Sequence, residues 1–415
     1  MKQRQAVTKV TAKRYQEAGK REKKQMLDEF CRTTGYNRCY ARWVLRHQRQ
    51  RLAVGRGVVV EADLQRRQKR IKARTYDEPV QRALVQIWEL LDYLCGKRLV
   101  AILPEIIAKL EEFNELRFEA ETRAKLLQLS PATADRLLQP ERRKHELRGR
   151  GRTRPGTLLK HQIPIRTFAD WNEQRPGFAE LDLVAHDGGI GFGDYAQTLD
   201  MTDVCTGWTE TIAVPNKAQV WVFEAIDKAR GRLPFPLLGI DCDNGSEFIN
   251  YQLWRYCTEH GITFTRTRPY RKNDNCYVEQ KNYSVVRRAV GYQRFDTSAE
   301  GLLLNRLYDR LRLYTNFFQP TMKLISKERT GSRVKKLYDS PQTPYQRVLD
   351  SPHVAPGDQE TLRRQYQRLN PAALKRELRN LQKQLFAYAK NKPKMAPPRR
   401  KSYQKNWQIK PHLGL

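Results

Sequence analysis

The chain has 415 residues, enough for two to four domains with their own cores. Its 78 Lys and Arg against 45 Asp and Glu give a formal charge of +33, which points to polyanionic partners and sets aside acidic ones. No run approaches the ~18 apolar residues of a membrane span, and the polar start M-K-Q-R-Q-A-V-T-K-V is no signal peptide.

The 7 Cys show no C-x-x-C, so neither a disulfide framework nor a zinc module is expected. Reduced thiols fit a cytoplasmic, nucleoid-associated protein. The charge is uneven. Residues 1–160 carry 38 basic and 19 acidic side chains, a net +19; residues 161–300 are net −4; residues 301–415 are net +18. Basic arms of this kind neutralise phosphates, while a slightly acidic centre suits cations. Charge alone leaves a histone-like structural binder open beside an enzyme acting on nucleic acid.

Residues 22–48 read as two helices around a turn at Thr33-Thr34-Gly35-Tyr36-Asn37. Met26, Leu27, Phe30 and Cys31 have helical spacing, and Tyr40, Trp43, Val44 and Leu45 repeat it. This is helix-turn-helix grammar, with Arg38, Arg42 and Arg46 on one face of the second helix to meet DNA. An ordinary helical hairpin with a solvated basic face has the same pattern. The segment Arg66-Arg67-Gln68-Lys69-Arg70 is a basic connector.

Residues 79–144 are helical again, through Ala83, Leu84, Ile87, Trp88, Leu91 and Leu94, then over 99–113 with an early break at Pro104. Ser130 is placed to cap a further helix with Pro131 at its first position, a second helix-turn-helix candidate offering Thr133 and Arg136 to DNA. Residues 145–160, rich in Gly and Arg, form a basic linker.

From 178 the pattern becomes α/β. Strands are predicted at 178–185, 195–201 and 208–214 as a meander, with a glycine-rich turn over 186–193. Asn216 caps a predicted helix to 230, 237–241 is a short buried strand, and Ser246 caps a helix to 260. A strand at 262–266 and a helix over 276–291 complete a mixed sheet in the ribonuclease H style. Further on, 322–338 reads as a hairpin turning at Thr330-Gly331-Ser332. Asn370-Pro371 opens a helix with Leu374, Leu378, Leu381 and Leu385 on one stripe, either a short coiled coil or a helix laid against the body. The end, from Asn391, reads as a disordered basic tail.

Three carboxylates stand out. Asp182 interrupts the apolar run A-E-L-D-L-V-A, Asp243 opens D-N-G-S-E-F, and Glu279 lies 36 positions later in N-D-N-C-Y-V-E-Q-K-N. A carboxylate in an apolar strand is costly to bury unless it binds something positive. Two Asp and one Glu from distant elements make an all-oxygen site suited to Mg²⁺ or Mn²⁺, and paired hard cations drive phosphodiester chemistry. Asp241 and Asp187 are rival carboxylates; the strand-end D-N-G favours Asp243, and a glycine-rich turn makes Asp187 an ordinary solvated Asp. His186 reads as exposed or as supporting the site, without a role as a ligand.

With E-L-D-L, D-N-G-S-E-F and N-D-N-x-x-V-E-Q-K-N in this order, the chain resembles DDE-type transposases of bacterial insertion sequences, whose core is retroviral-integrase-like and ribonuclease H-like. The likeness covers residues 175–295. It implies Asp182, Asp243 and Glu279 as the ligands of two Mg²⁺ ions, with Mn²⁺ substituting. It also implies hydrolysis of one strand at each element end and transfer of the freed 3′-OH to target DNA. At least a homodimer on paired ends, terminal repeats, target DNA and an accessory ATPase are the implied partners.

Tyr270, Arg271 and Lys272, before the Glu279 helix, are implied contacts near the scissile bond. The zinc module of retroviral integrases has no counterpart here. The Lys that some relatives place seven residues after the Glu is Val286, so Lys281 and Arg287 are the candidates for its phosphate contact. The expected organisation is multidomain. An all-α helix-turn-helix domain spans 1–62, a second 63–144, a basic linker 145–172, the α/β core 173–312, and a basic region with a small β element and a helix 313–415. A catalytically silent DNA-binding derivative and a nuclease without strand transfer are the alternatives.

Overall fold

The computed structural model describes residues 2–48, 50–53, 59–61, 75–143, 174–267 and 276–392. They fall into two compact units, Met1–Thr75 and Tyr76–Leu415. Among the described residues no helix is long and apolar enough to cross a membrane.

The first unit packs α1 (Lys2–Glu17), α2 (Lys20–Thr34) and α3 (Arg38–His47), followed by an antiparallel pair β1 (Arg51–Ala53) and β2 (Val59–Glu61). Ala12, Tyr15, Met26, Leu27, Phe30, Ala41 and Leu45 form its core. Gly35, at φ 69°, takes the left-handed turn that ends α2, and the Asn37 side chain accepts from Cys39 N at 2.9 Å to start α3.

The second unit opens with α4 (Glu78–Leu90), α5 (Gly96–Glu112), α6 (Ala120–Leu127) and α7 (Pro131–Arg142). Ser130 caps α7 as expected, accepting from Thr133 N. Helix α5, however, runs straight through Pro104. The missing N–H is outweighed by the buried stripe Leu99, Ile102, Leu103, Ile106, Ile107 and Leu110.

A five-stranded sheet comes next, built from β3 (Phe178–Ala185), β4 (Gln197–Asp203), β5 (Thr209–Val214), β6 (Gly239–Cys242) and β7 (Thr263–Arg266) in the order β5-β4-β3-β6-β7. The β3–β4–β5 meander is antiparallel, and β6 and β7 add in parallel, the mixed sheet expected of a ribonuclease H-like core. Helices α8 (Gln219–Arg230) and α9 (Tyr251–Glu259) cover one face. The other is covered by α10 (Cys276–Lys281), a π-helical turn (Asn282–Arg287), α11 (Arg288–Val290) and α12 (Ser298–Phe318).

Two expected caps are displaced. Asn216 makes a local turn with Ala218 N while α8 starts at Gln219, and Asn250, not Ser246, caps α9. Helix α12, with a Thr297/Glu300 capping box, runs across the expected boundary at 312. It seals the outer edge of the sheet. Asn305 pairs with both N–H and C=O of Ala213, Asn316 does the same at Thr209, and Arg312 grips Glu210 with two bonds of 2.7 Å.

The hairpin β8 (Leu324–Thr330) and β9 (Arg333–Tyr338) turns at Gly331 as predicted. Helices α13 (Pro344–Asp350), α14 (Pro356–Arg368) and α15 (Pro371–Lys390) end the described chain. In α15, Leu374, Leu378, Leu381 and Leu385 are buried against the body, so the stripe is no coiled coil. Helices α4, α5 and α7 share one hydrophobic core with α12 and α15, instead of forming a core of their own.

Candidate active site

The sheet register assembles the acidic face. Glu180 stands opposite Asp241 in the parallel β3–β6 pair, so the alternation of strand side chains sends Glu180, Asp182, Asp241 and Asp243 to one side. Asp200 joins from the other flank, opposite Asp182 in β4. Asp182 and Asp243 are half-buried, whereas Glu180, Asp200 and Asp241 are sealed.

Glu279 reaches this face from α10, where it is exposed. Its helix is held by Glu180, whose Oε2 accepts from Val278 N at 2.8 Å, satisfying an N-terminal amide that the helix itself leaves without a partner. One residue beyond α10 the ladder widens into the π turn, and there Asn282 Nδ2 donates to Asp182 Oδ2 at 2.6 Å. Such single π turns recur at functional sites.

The electrostatics arise from this crowding. Burial and the charge of Asp243, with a contribution from Glu279, push the Asp182 carboxyl up to about 7. Burial, then Glu247, raises Asp243. Burial also raises Glu180 well above the usual carboxylate range. Like-charged carboxylates sharing a low-dielectric face hold protons, or a cation, more tightly.

The rival carboxylates lie in different surroundings. Asp241 is fully buried and accepts from Thr265 Oγ1 at 2.5 Å, inside the layer between sheet and helix. Asp243 sits at the open strand end, where Gly245 N donates to its Oδ1 at 2.9 Å. Asp187 lies in the glycine-rich turn, accepting from Gly189 N, while Arg294 pins that turn through the carbonyls of Asp187, Ile190, Phe192 and Asp194. His186 is buried, not exposed. Its Nε2 lies 2.7 Å from Thr198 Oγ1, which in turn meets Tyr308 Oη, and burial lowers its pKa to about 3.

The expected DNA contacts are spread over both units. Arg42 and Arg46 are exposed on α3, and Arg38 on the same face pairs with Asp28. On α7, Arg136 Nη2 donates to Thr133 Oγ1 at 2.9 Å. Tyr270, Arg271 and Lys272 lie outside the described residues. Lys281 is buried, donates to Gly207 O and answers the charge of Asp200. Arg287 donates to Ala185 O at 2.8 Å and lies over the Tyr292 ring. Val286 is core, because the π turn inserts a residue and rotates the rest of the helix.

A family model for the integrase core domain matches residues 172–272. The uncharacterized protein y4rM of Sinorhizobium fredii is 41% identical over 336 residues, which cover 80% of this chain and 91% of that protein. The chain belongs to the y4rM family. Within it, the matched segment makes this member's centre an integrase core domain, with β3, β4, β5, β6 and β7 all inside the match.

Two solved structures are also similar to this y4rM-family chain. The catalytic core domain of BIV integrase is 18% identical, with a TM-score of 0.29, over 43% of this chain and 96% of that one. The HTLV-2 integrase catalytic core domain in complex with magnesium is 16% identical, with a TM-score of 0.27, over 35% and 91%.

Sequence reasoning does not single out Glu180, Asn282, Asp200 or Arg294. Glu180 carries a signal, since it alternates with Asp182 on one strand face. The donor chemistry of Asp182, Asp243 and Glu279 fits a hard divalent cation, which would relieve the repulsion that raises Asp182. Among the described residues, no three His, Cys, Asp or Glu side chains are gathered as a ready metal cage.

Proposed function

We propose that the chain is a DDE-type transposase, which hydrolyses one strand at each element end and joins the freed 3′-OH to target DNA. The observation that carries this reading is the register placing Asp182 and Asp243 on one face of the integrase core, in the field of Glu279. Divalent cations held by these three carboxylates, Mg²⁺ or Mn²⁺, would supply the Lewis acidity that activates the attacking oxygen and steadies the leaving one.

The chain's own groups have separate tasks. Asn282 donates to one Asp182 oxygen and Leu183 N to the other, so the two bonds together fix the orientation of that carboxylate. Glu180 anchors the first turn of α10 and so sets where Glu279 stands. No Tyr, Ser or Cys nucleophile is required, because water and then the 3′-OH attack the phosphorus directly.

DNA would be held by the basic arms. Arg38, Arg42 and Arg46 on α3 and Thr133 and Arg136 on α7 are the proposed contacts to element ends, with Tyr270, Arg271 and Lys272 nearer the scissile phosphate. Two ends require at least a dimer. An accessory ATPase forms no part of the reading.

The test is purified protein with Mg²⁺ and labelled DNA carrying the terminal repeats that flank the gene. Joined products that vanish in Glu279→Gln support a transposase. Cleavage without joining would assign a nuclease instead, and binding without chemistry a silent regulator.

A further inference from the structure

Beside α10 and the π turn lies a cavity of about 360 Å³. Its walls come from the α4–α5 turn, the π turn, α12 and α15, all within the second unit. A volume of this order suits a small organic ligand, since such sites run from ~300 to 1,000 Å³.

Its charges are unbalanced. Arg98, Lys281, Arg288 and Lys375 line it, with Asp92 as the one carboxylate among the described lining residues. That carboxylate is already taken by Lys375, whose Nζ also lies 5.2 Å from the centre of the Tyr314 ring. Arg98 donates Nε to Pro320 O, Arg288 donates to Asp92 O at 2.6 Å, and Lys281 donates to Gly207 O at 3.2 Å. These three cations therefore lean on neutral carbonyls. Among the described residues none of them has a carboxylate within the 4.0 Å of an ion pair. Lys281 answers the buried Asp200 of the sheet, so Arg98 and Arg288 are the two cations left without a carboxylate among the described residues.

Burial lowers Arg98, and Arg288 adds to that lowering, so these two cations repel one another. Holding unpaired cations together in a half-buried space is costly unless an anion joins them. An anionic ligand would supply the missing counter-charge.

Val285, Leu311 and Leu378, beside the buried Tyr314, give the cavity an apolar wall as well. Asp92 and Tyr93, at φ 55° and 63°, hold a left-handed turn without glycine next to it. Strain of this kind collects at ligand sites.

We propose that this cavity binds a nucleotide, with Arg98 and Arg288 receiving its phosphate and the apolar wall receiving its base. The site is separate from the phosphodiester chemistry and does not depend on it. Two sources share this chemistry, a free mononucleotide and the 5′-phosphorylated end of a DNA strand.

The test uses the full chain without divalent metal, measuring dAMP binding by titration calorimetry. Binding is expected, with deoxyadenosine and inorganic phosphate each at least tenfold weaker than dAMP. Arg98→Gln combined with Arg288→Gln is expected to weaken dAMP at least tenfold. Arg98→Lys keeps the charge and should retain most of the affinity, and Lys335→Gln, on the exposed strand β9, should match the wild type.

Deoxyadenosine or inorganic phosphate binding as well as dAMP would overturn the assignment, as would unchanged affinity in the folded double variant. Glu279→Gln keeps dAMP binding, so a failure of the transposase reading is read separately. Competition by a 5′-phosphorylated oligonucleotide, but not by its unphosphorylated twin, would name the strand end as the source; no competition would name the free nucleotide.

Discussion

The two faces of the central sheet are made by the same strands and do opposite work. Toward α8 and α9, Ala179, Leu181, Leu199, Met201, Ile212, Ile240 and Phe264 make a dry layer. Toward α10 and α12 the alternating positions are Glu180, Asp182, Thr198, Asp200, Thr202 and Asp241. The first face contributes hydrophobic stability at roughly 25 cal/mol per Å² buried. The second buries carboxylates with raised pKa values, a net penalty to the fold. Within one sheet, stability and chemistry are separated by the period of a strand.

That contrast can be broken by substitution. The largest effect is expected for Asp182→Asn and Asp243→Asn, which should lower strand joining by about a thousandfold or more, about 4 kcal/mol of barrier, with unfolding temperature unchanged or higher. A large drop in unfolding temperature would instead place these residues in the stabilising class. Leu199→Ala, on the dry face, should do the reverse: about 2–5 kcal/mol less stable by denaturant unfolding, with activity per folded molecule preserved.

Asn282→Ala should fall between the two. Losing a bond to a charged carboxylate is worth about 1.5–3 kcal/mol, so joining should drop roughly ten- to hundredfold. Because that bond lowers the Asp182 pKa, the acid limb of the pH–rate profile should move to higher pH. An unmoved limb would mean that Asn282 acts only on packing.

The smallest effect concerns stability against pH in chelator. The folded pKa of Asp182 is raised from 3.8 to about 7, so the folded state binds the extra proton. This group's contribution is complete below about 3.8 and is lost as pH rises through about 7. Asp182→Asn should flatten that descent, and added Mg²⁺ should offset it most at high pH. His186, held neutral, has the opposite sign and acts between about 6.5 and 3. A wild-type slope identical to that of Asp182→Asn would show that the acidic face carries no excess repulsion.

Much of this arrangement is legible in the residues alone. The alternation E-L-D-L, the D-N-G turn and the helical run around Glu279 locate the strands, their ends and the candidate ligands. Other features leave weaker traces. A π turn changes which amide meets which carbonyl, not which residues are present, so Asn282 and the burial of Val286 have no signature in composition.

Helix α12 does leave one, Thr297-Ser298-Ala299-Glu300, a capping box ahead of three leucines. It is hard to read because the helix is apolar on several sides, packing on the sheet and on α15 together, so its stripe is blurred. Pro104 misleads for the opposite reason. A local rule is overridden by a long buried face.

Asn305 and Asn316 on α12 bear on how copies of this chain can associate. They occupy the outward amides and carbonyls of Ala213 and Thr209, where an added strand would dock. That rim is closed to sheet extension, which guards the β5 edge against edge-to-edge aggregation. Any pairing of protomers on two DNA ends therefore does not continue the sheet across β5.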